Sequence, residues 1–373
     1  MPAARVCADR RGLDKHPRHM DQPTTIRPGE ELDAAKLEPY LRAHLADGAA
    51  AGEGFAVAQF PGGFSNLTYS IALGARELVL RRPPFGANIK GGHDMAREHR
   101  ILAGLARGYG KAPRPLLLCN DQSILGAPFY VMERVQGVIL RRGASTGNDL
   151  GEATLKRTSA ALIDTLADLH RLDYGALGLG DLGNPAGYVA RQVSGWAKRY
   201  DAAQTDELPD MNWCAQWLAS VQPPETNRHA LIHNDFKYDN VMFDARDLTR
   251  VVAVLDWEMA TIGEPLMDLG SMLAYWSQEG DAEVLRAFNI SHLPGNLTRV
   301  QLVDRYAART GADVGNLLFY YAFGLFKIGV IVQQLYARFK RGLTEDARFA
   351  SLIDLERALA HHATLAIDAG KMS

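Results

Sequence analysis

Three short apolar runs in the second half of the chain bracket two polar mouths. Ala230-Leu231-Ile232 leads into His233-Asn234-Asp235-Phe236-Lys237-Tyr238-Asp239-Asn240, and Val241-Met242-Phe243 follows. A polar turn, Asp244 to Arg250, then precedes Val251-Val252-Ala253-Val254-Leu255, which ends on Asp256. Apolar runs this short, bounded by turn formers, read as strands rather than helices. The stretch is a loop feeding a two-stranded hairpin. It sets a carboxylate, a carboxamide and a second carboxylate on one small scaffold.

The flanking sequence divides into two patterns. At 373 residues the chain exceeds the length at which one core stops growing, so two lobes are expected. Glu30 to Ala46 reads as an amphipathic helix. Phe55 to Phe60, Leu67 to Leu73 and Leu78 to Arg82 read as strands; a Gly62-Gly63 turn joins the first two and Pro83-Pro84 stops the third. A helix from about Asp94 to Leu105 puts Met95, Glu98, Leu102 and Leu105 on one face, where a carboxylate among apolar residues needs a cationic partner. Leu116 to Cys119 and Phe129 to Glu133 complete an antiparallel five-stranded sheet. After Gly137 helical spacing takes over. One helix ends near His170; Tyr188 to Tyr200, Met211 to Val221, Pro265 to Ser277, Asp281 to Phe288, Asn296 to Thr310, Asn316 to Lys340 and Ala347 to Ala369 follow. The pair flanking Asn240 and Asp256 are the only strands expected there. A β-rich front and a helical back make an α+β, two-lobed protein. Residues 1–27 are expected as a disordered leader, 28–135 as the N-lobe and 136–373 as the helical C-lobe.

Composition excludes several classes. A net charge of -2, with 47% apolar and 23% charged residues, describes an ordinary soluble globular chain and gives no pull toward nucleic acid or a membrane surface. Cys7, Cys119 and Cys214 are far apart and without a Cys-x-x-Cys, which implies a reducing, cytoplasmic setting without disulfides or zinc. The leader holds Arg5, Arg10, Arg11 and Arg18 but also Asp9 and Asp14, and lacks the apolar core of a signal peptide. Leu317 to Val332 is short for a membrane span and Lys327 interrupts it, so a buried helix is expected. Gly178 to Gly183 spells Gly-x-Gly-x-x-Gly but follows a helix, so the dinucleotide-binding context is missing. His361-His362 reads as a surface pair. No feature of the sequence speaks to oligomeric state.

The groups at the hairpin suit phosphoryl transfer to a hydroxyl. One carboxylate orients the hydroxyl and accepts its proton, while hard oxygen ligands hold Mg²⁺ on nucleotide phosphates. Asp235 is then the base, Asn240 and Asp256 the metal ligands, and His233 a brace. Lys237 either reaches the γ-phosphate or is a solvated lysine. Gly62 and Gly63 allow close backbone approach, with Ser65 and Asn66 as donors to anionic phosphates.

Over roughly residues 28–345 the chain resembles the aminoglycoside phosphotransferase and choline kinase-like branch of the protein-kinase-like superfamily. His233 to Asn240 resembles that family's catalytic loop, and Asp256-Trp257-Glu258 its metal-binding segment. Gly263-Glu264-Pro265-Leu266-Met267-Asp268-Leu269 resembles the Gly-Asp-Pro-x-x-Asp-Leu that follows. Gly62 to Asn66, Leu78 to Pro84 and His93 to Glu98 look most like the kinase-like domain linked to acyl-CoA dehydrogenases. The resemblance implies a two-lobed kinase-like fold and an ATP- and Mg²⁺-dependent kinase acting on an alcohol, with the backbone of Glu133 and Val135 on the adenine edge. It also implies that Arg81, where the wider family has lysine, contacts the phosphates and pairs with Glu98. Arg82 faces the other way on the strand, and Lys90 lies beyond the double proline. Because Arg81 departs from the lysine, a module that binds nucleotide without turnover is the competing reading. A protein kinase is not expected, since Glu258 to Pro265 leaves no room for a long activation segment.

The acceptor is expected among the later helices. Arg191, Lys198, Arg199, Arg309, Lys327, Arg338, Lys340 and Arg341 interleave there with Trp196, Tyr200, Phe319, Tyr320, Tyr321, Phe323 and Phe326. A basic, aromatic wall suits an anionic, partly apolar or adenine-bearing small molecule; solvated helix faces are the plainer alternative. The resemblance points to a hydroxylated acyl group on coenzyme A, with an aminoglycoside antibiotic second. Arg191, Trp196 and Lys327 are the expected acceptor contacts.

Overall fold

A computed structural model describes residues 22–45, 54–61, 66–86, 93–141, 150–226, 228–344 and 347–372. Its first part holds helix α1 (Ala34–His44), strands β1 (Phe55–Gln59), β2 (Leu67–Leu73) and β3 (Arg76–Arg82), helix α2 (Met95–Leu105), β4 (Pro115–Cys119), the single turn α3 (Gln122–Leu125) and β5 (Phe129–Glu133). The strands form one antiparallel sheet in the order β1-β2-β3-β5-β4. Alternation along β3 buries both its faces. Leu78 and Leu80 join Leu37 and Leu41 of α1 in one core, whereas Val79 packs with Met95, Ile101 and Leu102 of α2 in another. The same alternation sends Arg81 toward α2 and Arg82 away from it. Asp94 starts α2 by accepting from Arg97 N at 2.9 Å.

Thr24, within the stretch expected as leader, pairs with β1. Thr24 N reaches Gln59 O at 2.7 Å and Gln59 N reaches Thr24 O at 3.0 Å, which gives the outer edge of β1 a partner. Residues 1–21, Gly62, Gly63, Ser65 and Lys90 lie outside the described residues.

The second part runs β6 (Val138–Ile139), α4 (Glu152–His170), α5 (Tyr188–Ala203), α6 (Pro209–Ser220), β7 (Ala230–Ile232), β8 (Val241–Phe243), β9 (Val251–Val254), β10 (Thr261–Gly263), α7 (Pro265–Tyr275), α8 (Arg299–Thr310), α9 (Leu317–Lys340) and α10 (Leu352–Asp368). The expected hairpin is β8–β9, but it is not the only strand pairing here. Two-residue β6 adds a third strand to it, and β7 pairs with β10, elements too short to show a period in sequence. The helix expected over Asp281 to Phe288 is a 3-10 turn, Glu283–Ala287. A capping box between Thr298 and Gln301 starts α8 later than expected, and α10 begins at Leu352 rather than Ala347. His362 is no surface group: its Nε2 lies 2.7 Å from the Tyr321 hydroxyl, because α10 lays that face on α9.

Helices α7 and α9 meet backbone to backbone. A Cβ on Gly270 would stand 2.2 Å from Tyr320 O, and one on Gly324 would stand 2.5 Å from Gly270 O. Gly270→Ala is therefore expected to destabilise the fold by about 1–3 kcal/mol through overpacking. A urea denaturation midpoint equal to the parent's would show that the helices have room to part. By length and composition α9 could cross a membrane, but here it is the central helix of the C-terminal core, with Lys327 only 4% exposed.

Candidate active site

From β7 the chain enters the loop through Asn234, at φ 66°. Only one other non-glycine among the described residues has a positive φ, Asp256 at 65°, and both flank the hairpin. Such a turn needs outside support. Asp268, in the first turn of α7, accepts from His233 N at 2.6 Å and Asn234 N at 2.8 Å, and lies 3.1 Å from His170 Nε2. Lys327 Nζ donates to Asn234 O at 2.6 Å. His233 spans the loop, its Nε2 2.9 Å from Leu255 O.

Asp235 follows this turn. Lys237 Nζ lies 2.8 Å from each of its oxygens, and Asn240 Nδ2 donates to Oδ2 at 2.8 Å and to the Asp235 carbonyl at 2.9 Å. With Nδ2 committed, Asn240 presents Oδ1. The Lys237 ammonium sits 4.4 Å from the Tyr275 ring centroid. Burial works against that charge, but Tyr275 and Asp235 hold the proton well above the ordinary lysine range.

Arg81 reaches across from β3. Its Nη2 lies 2.9 Å from Asp256 Oδ1 and 3.7 Å from Glu258 Oε2, and its Nη1 lies 3.5 Å from Glu98 Oε1. The Arg81–Glu98 pair is present, yet Asp256 is the closer partner. Burial pushes the Asp256 carboxyl upward, and the Arg81 guanidinium more than offsets it, holding the group below the usual carboxylate range. At Glu98 burial prevails and raises the carboxyl despite Arg81. Asn66 Nδ2 donates to Glu258 Oε2 at 2.7 Å. Arg97 of α2 donates to three backbone carbonyls: Ala260 at 2.7 Å, Glu258 at 3.3 Å and Leu182 at 3.4 Å. Arg82 turns the other way, to Pro83 O at 3.1 Å and the Phe85 ring at 3.6 Å.

The remaining expected residues divide. Glu133 N donates to Arg114 O at 3.0 Å, and Val135 packs against Ile139, Met242 and Ala253 where β5 runs into β6. Trp196 of α5 is buried beside Lys327: Lys327 Nζ lies 5.8 Å and Arg199 Cζ 4.6 Å from its ring centroid. Arg191 lies near Tyr188 at the start of the same helix. It is exposed, and its guanidinium folds back onto the Ala186 and Asn184 carbonyls, closing the left-handed turn at Gly187 that starts α5. Much of the basic wall is likewise committed: Arg309 to Asp168 at 2.6 Å, Lys340 to Asp206 at 3.6 Å and Arg341 to Ala202 O at 3.3 Å. Three site residues had no expected role: Asp268, Tyr275 and Glu258. Asp268 carried a signal in its place after Gly263-Glu264-Pro265, and Glu258 one in its place after Asp256-Trp257; Tyr275 carried none.

The donor set fits a hard cation. Among the described residues no three His, Cys, Asp or Glu side chains converge on one point. Asn240 Oδ1 and the Asp256 carboxylate offer two protein ligands, which suits a Mg²⁺ that keeps water and phosphate oxygens. Arg81 Nε is buried and without a hydrogen-bond partner, a donor left over for an anionic oxygen.

The profile of the phosphotransferase enzyme family matches residues 56–303. Acyl-CoA dehydrogenase family member 11 from Rattus norvegicus is 36% identical over 322 residues, which are 85% of this chain and 41% of that protein. The chain thus spans less than half the length of the curated relatives it matches most strongly. A crystal structure of a protein from Ralstonia eutropha, assigned as an aminoglycoside phosphotransferase, aligns with a TM-score of 0.73 at 29% identity, covering 88% of this chain and 96% of that one. Choline kinase from Cryptosporidium parvum aligns with a TM-score of 0.60 at 12% identity over 91% and 97%, a likeness of fold.

Proposed function

We propose, from the premise that this chain belongs to the phosphotransferase enzyme family, that it transfers the γ-phosphoryl group of ATP to a hydroxyl of an anionic small molecule, a hydroxyacyl group carried on coenzyme A. One observation carries the choice of acceptor. The Lys237 ammonium stands beside Asp235 and the exposed Arg199 guanidinium beside Trp196, while Lys327 is committed to the Asn234 carbonyl. A polycationic aminoglycoside would meet like charge there, whereas an anionic acceptor is attracted by it.

Asn240 occupies Asp235 Oδ2, which leaves Oδ1 as the better-placed proton acceptor. The acceptor oxygen attacks the γ-phosphorus and its proton passes to Asp235. The bond from phosphorus to the β,γ-bridging oxygen breaks, and ADP leaves with those electrons. Lys237 pairs with the carboxylate and supplies positive charge beside the moving phosphoryl group. Arg81 contacts the phosphates. Asn240 and Asp256 would hold Mg²⁺, which neutralises charge on the phosphates when bound. The buried free thiols Cys119 and Cys214 support a cytoplasmic setting.

Calorimetric titration with ATP and Mg²⁺, followed by ADP-release assays over hydroxyacyl-CoA and aminoglycoside panels, tests the reading. Nucleotide binding with turnover on the first panel alone is expected. Turnover only on aminoglycosides overturns the acceptor class, and binding without turnover on any acceptor favours a non-catalytic nucleotide-binding module. Asp256→Ala is expected to lose Mg²⁺-dependent nucleotide binding.

A further inference from the structure

The left-handed turn at Asn234 is held on both sides of its peptide. Asp268 of α7 takes the N–H, and Lys327 of α9 takes the carbonyl. These two helices are locked through Gly270 and Gly324, so the turn hangs from one rigid body. Lys327 is 4% exposed, and the Asn234 carbonyl is its one hydrogen-bond partner among the described residues. An ammonium buried this deeply is costly to keep, and a side chain that only filled space here would be apolar.

We propose that Lys327 is a positioning residue, whose ammonium holds the Asn234 carbonyl and thereby aims the Asp235 carboxylate at the acceptor. The role rests on the phosphotransfer reading above but differs from an acceptor contact. Lys327 acts through the backbone one residue before the base. A carboxylate displaced by even 1 Å costs about 10²-fold in rate.

The same burial makes the hold dependent on pH. Burial pulls the Lys327 ammonium down to about 8, against the attraction of Asp235 and Asp268, while Lys237 and Arg199 repel it. These groups come from the catalytic loop, α7 and α5. Of the other helices packed on α9, α10 carries buried Glu356 and His362, the latter bonded to Tyr321, and α6 carries buried Cys214. Protonated Lys327 holds the turn at neutral pH, and above about 8 the neutral amine keeps only a weaker hydrogen bond.

Lys327→Met and Lys327→Arg test the proposal by two independent readouts. In turnover, Lys327→Met is expected to lower kcat about 10²-fold while ATP affinity and acceptor KM change little. Lys327→Arg should recover most of kcat and remove the alkaline fall near pH 8, since arginine does not titrate there. In fluorescence, the indole of Trp196, 5.8 Å from Nζ, should titrate near pH 8 in the parent and not in Lys327→Met, with Trp196→Phe identifying the signal. Parent-like kcat in Lys327→Met, a rise in acceptor KM alone, or an alkaline limb that persists in Lys327→Arg overturns it. If Lys327→Met does not fold, judged by circular dichroism, the Lys327→Arg pH profile decides. If no acceptor is turned over the phosphotransfer reading fails. The fluorescence titration then judges the Lys327 equilibrium: a transition near pH 8 supports it, and none overturns it.

Discussion

Asp235→Asn is expected to lower kcat by about 10²–10⁴-fold, the usual contribution of a positioned general base, with ATP affinity close to the parent's. The substitution keeps the shape of the side chain and an oxygen for Asn240 or Lys237, so the loop should survive. What it removes is the charge and the proton-accepting lone pair facing the acceptor. Lys237 then loses the carboxylate it now grips at 2.8 Å on both oxygens. Nucleotide binding should persist, because the residues assigned to phosphates and metal lie at Arg81, Asn240 and Asp256. Single-turnover ADP release and calorimetry with ATP separate the two effects. Activity that survives the change would move the base elsewhere; loss of ATP binding in step with kcat would make Asp235 part of the nucleotide site.

Asp268→Ala should have the largest effect on stability, about 3–5 kcal/mol, the range for removing one partner from a buried ionic cluster. Asp268 is fully buried, and its loss strands the His233 and Asn234 N–H groups and His170. The pH dependence follows from the same contacts. Burial pushes the Asp268 carboxyl up, but His170, His233 and the backbone donor overcome it and hold the group below the usual carboxylate range. Its folded value thus lies below the unfolded value of about 3.9. The stabilisation is complete above that value and is lost as pH falls through the lower folded one. Urea midpoints of parent and variant should stay far apart at neutral pH and converge below about pH 4. A gap that stays constant into acid would mean that Asp268 contributes by packing alone.

Residues with a periodic or spacing signal were legible before the structure. Glu98, a lone carboxylate on an apolar helix face, required a cation, and Arg81 stands 3.5 Å away. The alternation of β3 puts Arg81 and Arg82 on opposite faces, and the two guanidinium groups point apart. Asp256 was read from its place at the end of an apolar run, but its 2.9 Å contact with Arg81 was not. What could not be read is contact between a side chain and distant backbone. Lys327 is visible as a charge inside an apolar run, but its partner is a peptide carbonyl 93 positions away, which leaves no mark on residue type. The same holds for Gly270 against Tyr320, for the two-residue β6 and for the Thr24 bridge. The basic residues interleaved with aromatics suggest Arg191 as an acceptor contact, and that pattern does not show that its guanidinium folds onto the Ala186 and Asn184 carbonyls.

The ties on α2 bear on how such a protein can be controlled. In protein kinases the glutamate-bearing helix is a movable part, and activity is set by whether it stands in place. Here that helix is stitched to the other half of the molecule through Arg97 on the carbonyls of Ala260, Glu258 and Leu182, while Arg81 bridges Glu98 to Asp256. Swinging it out would break these contacts together and strand buried charge on both sides. Control by swinging this helix is therefore opposed by the contacts that hold it.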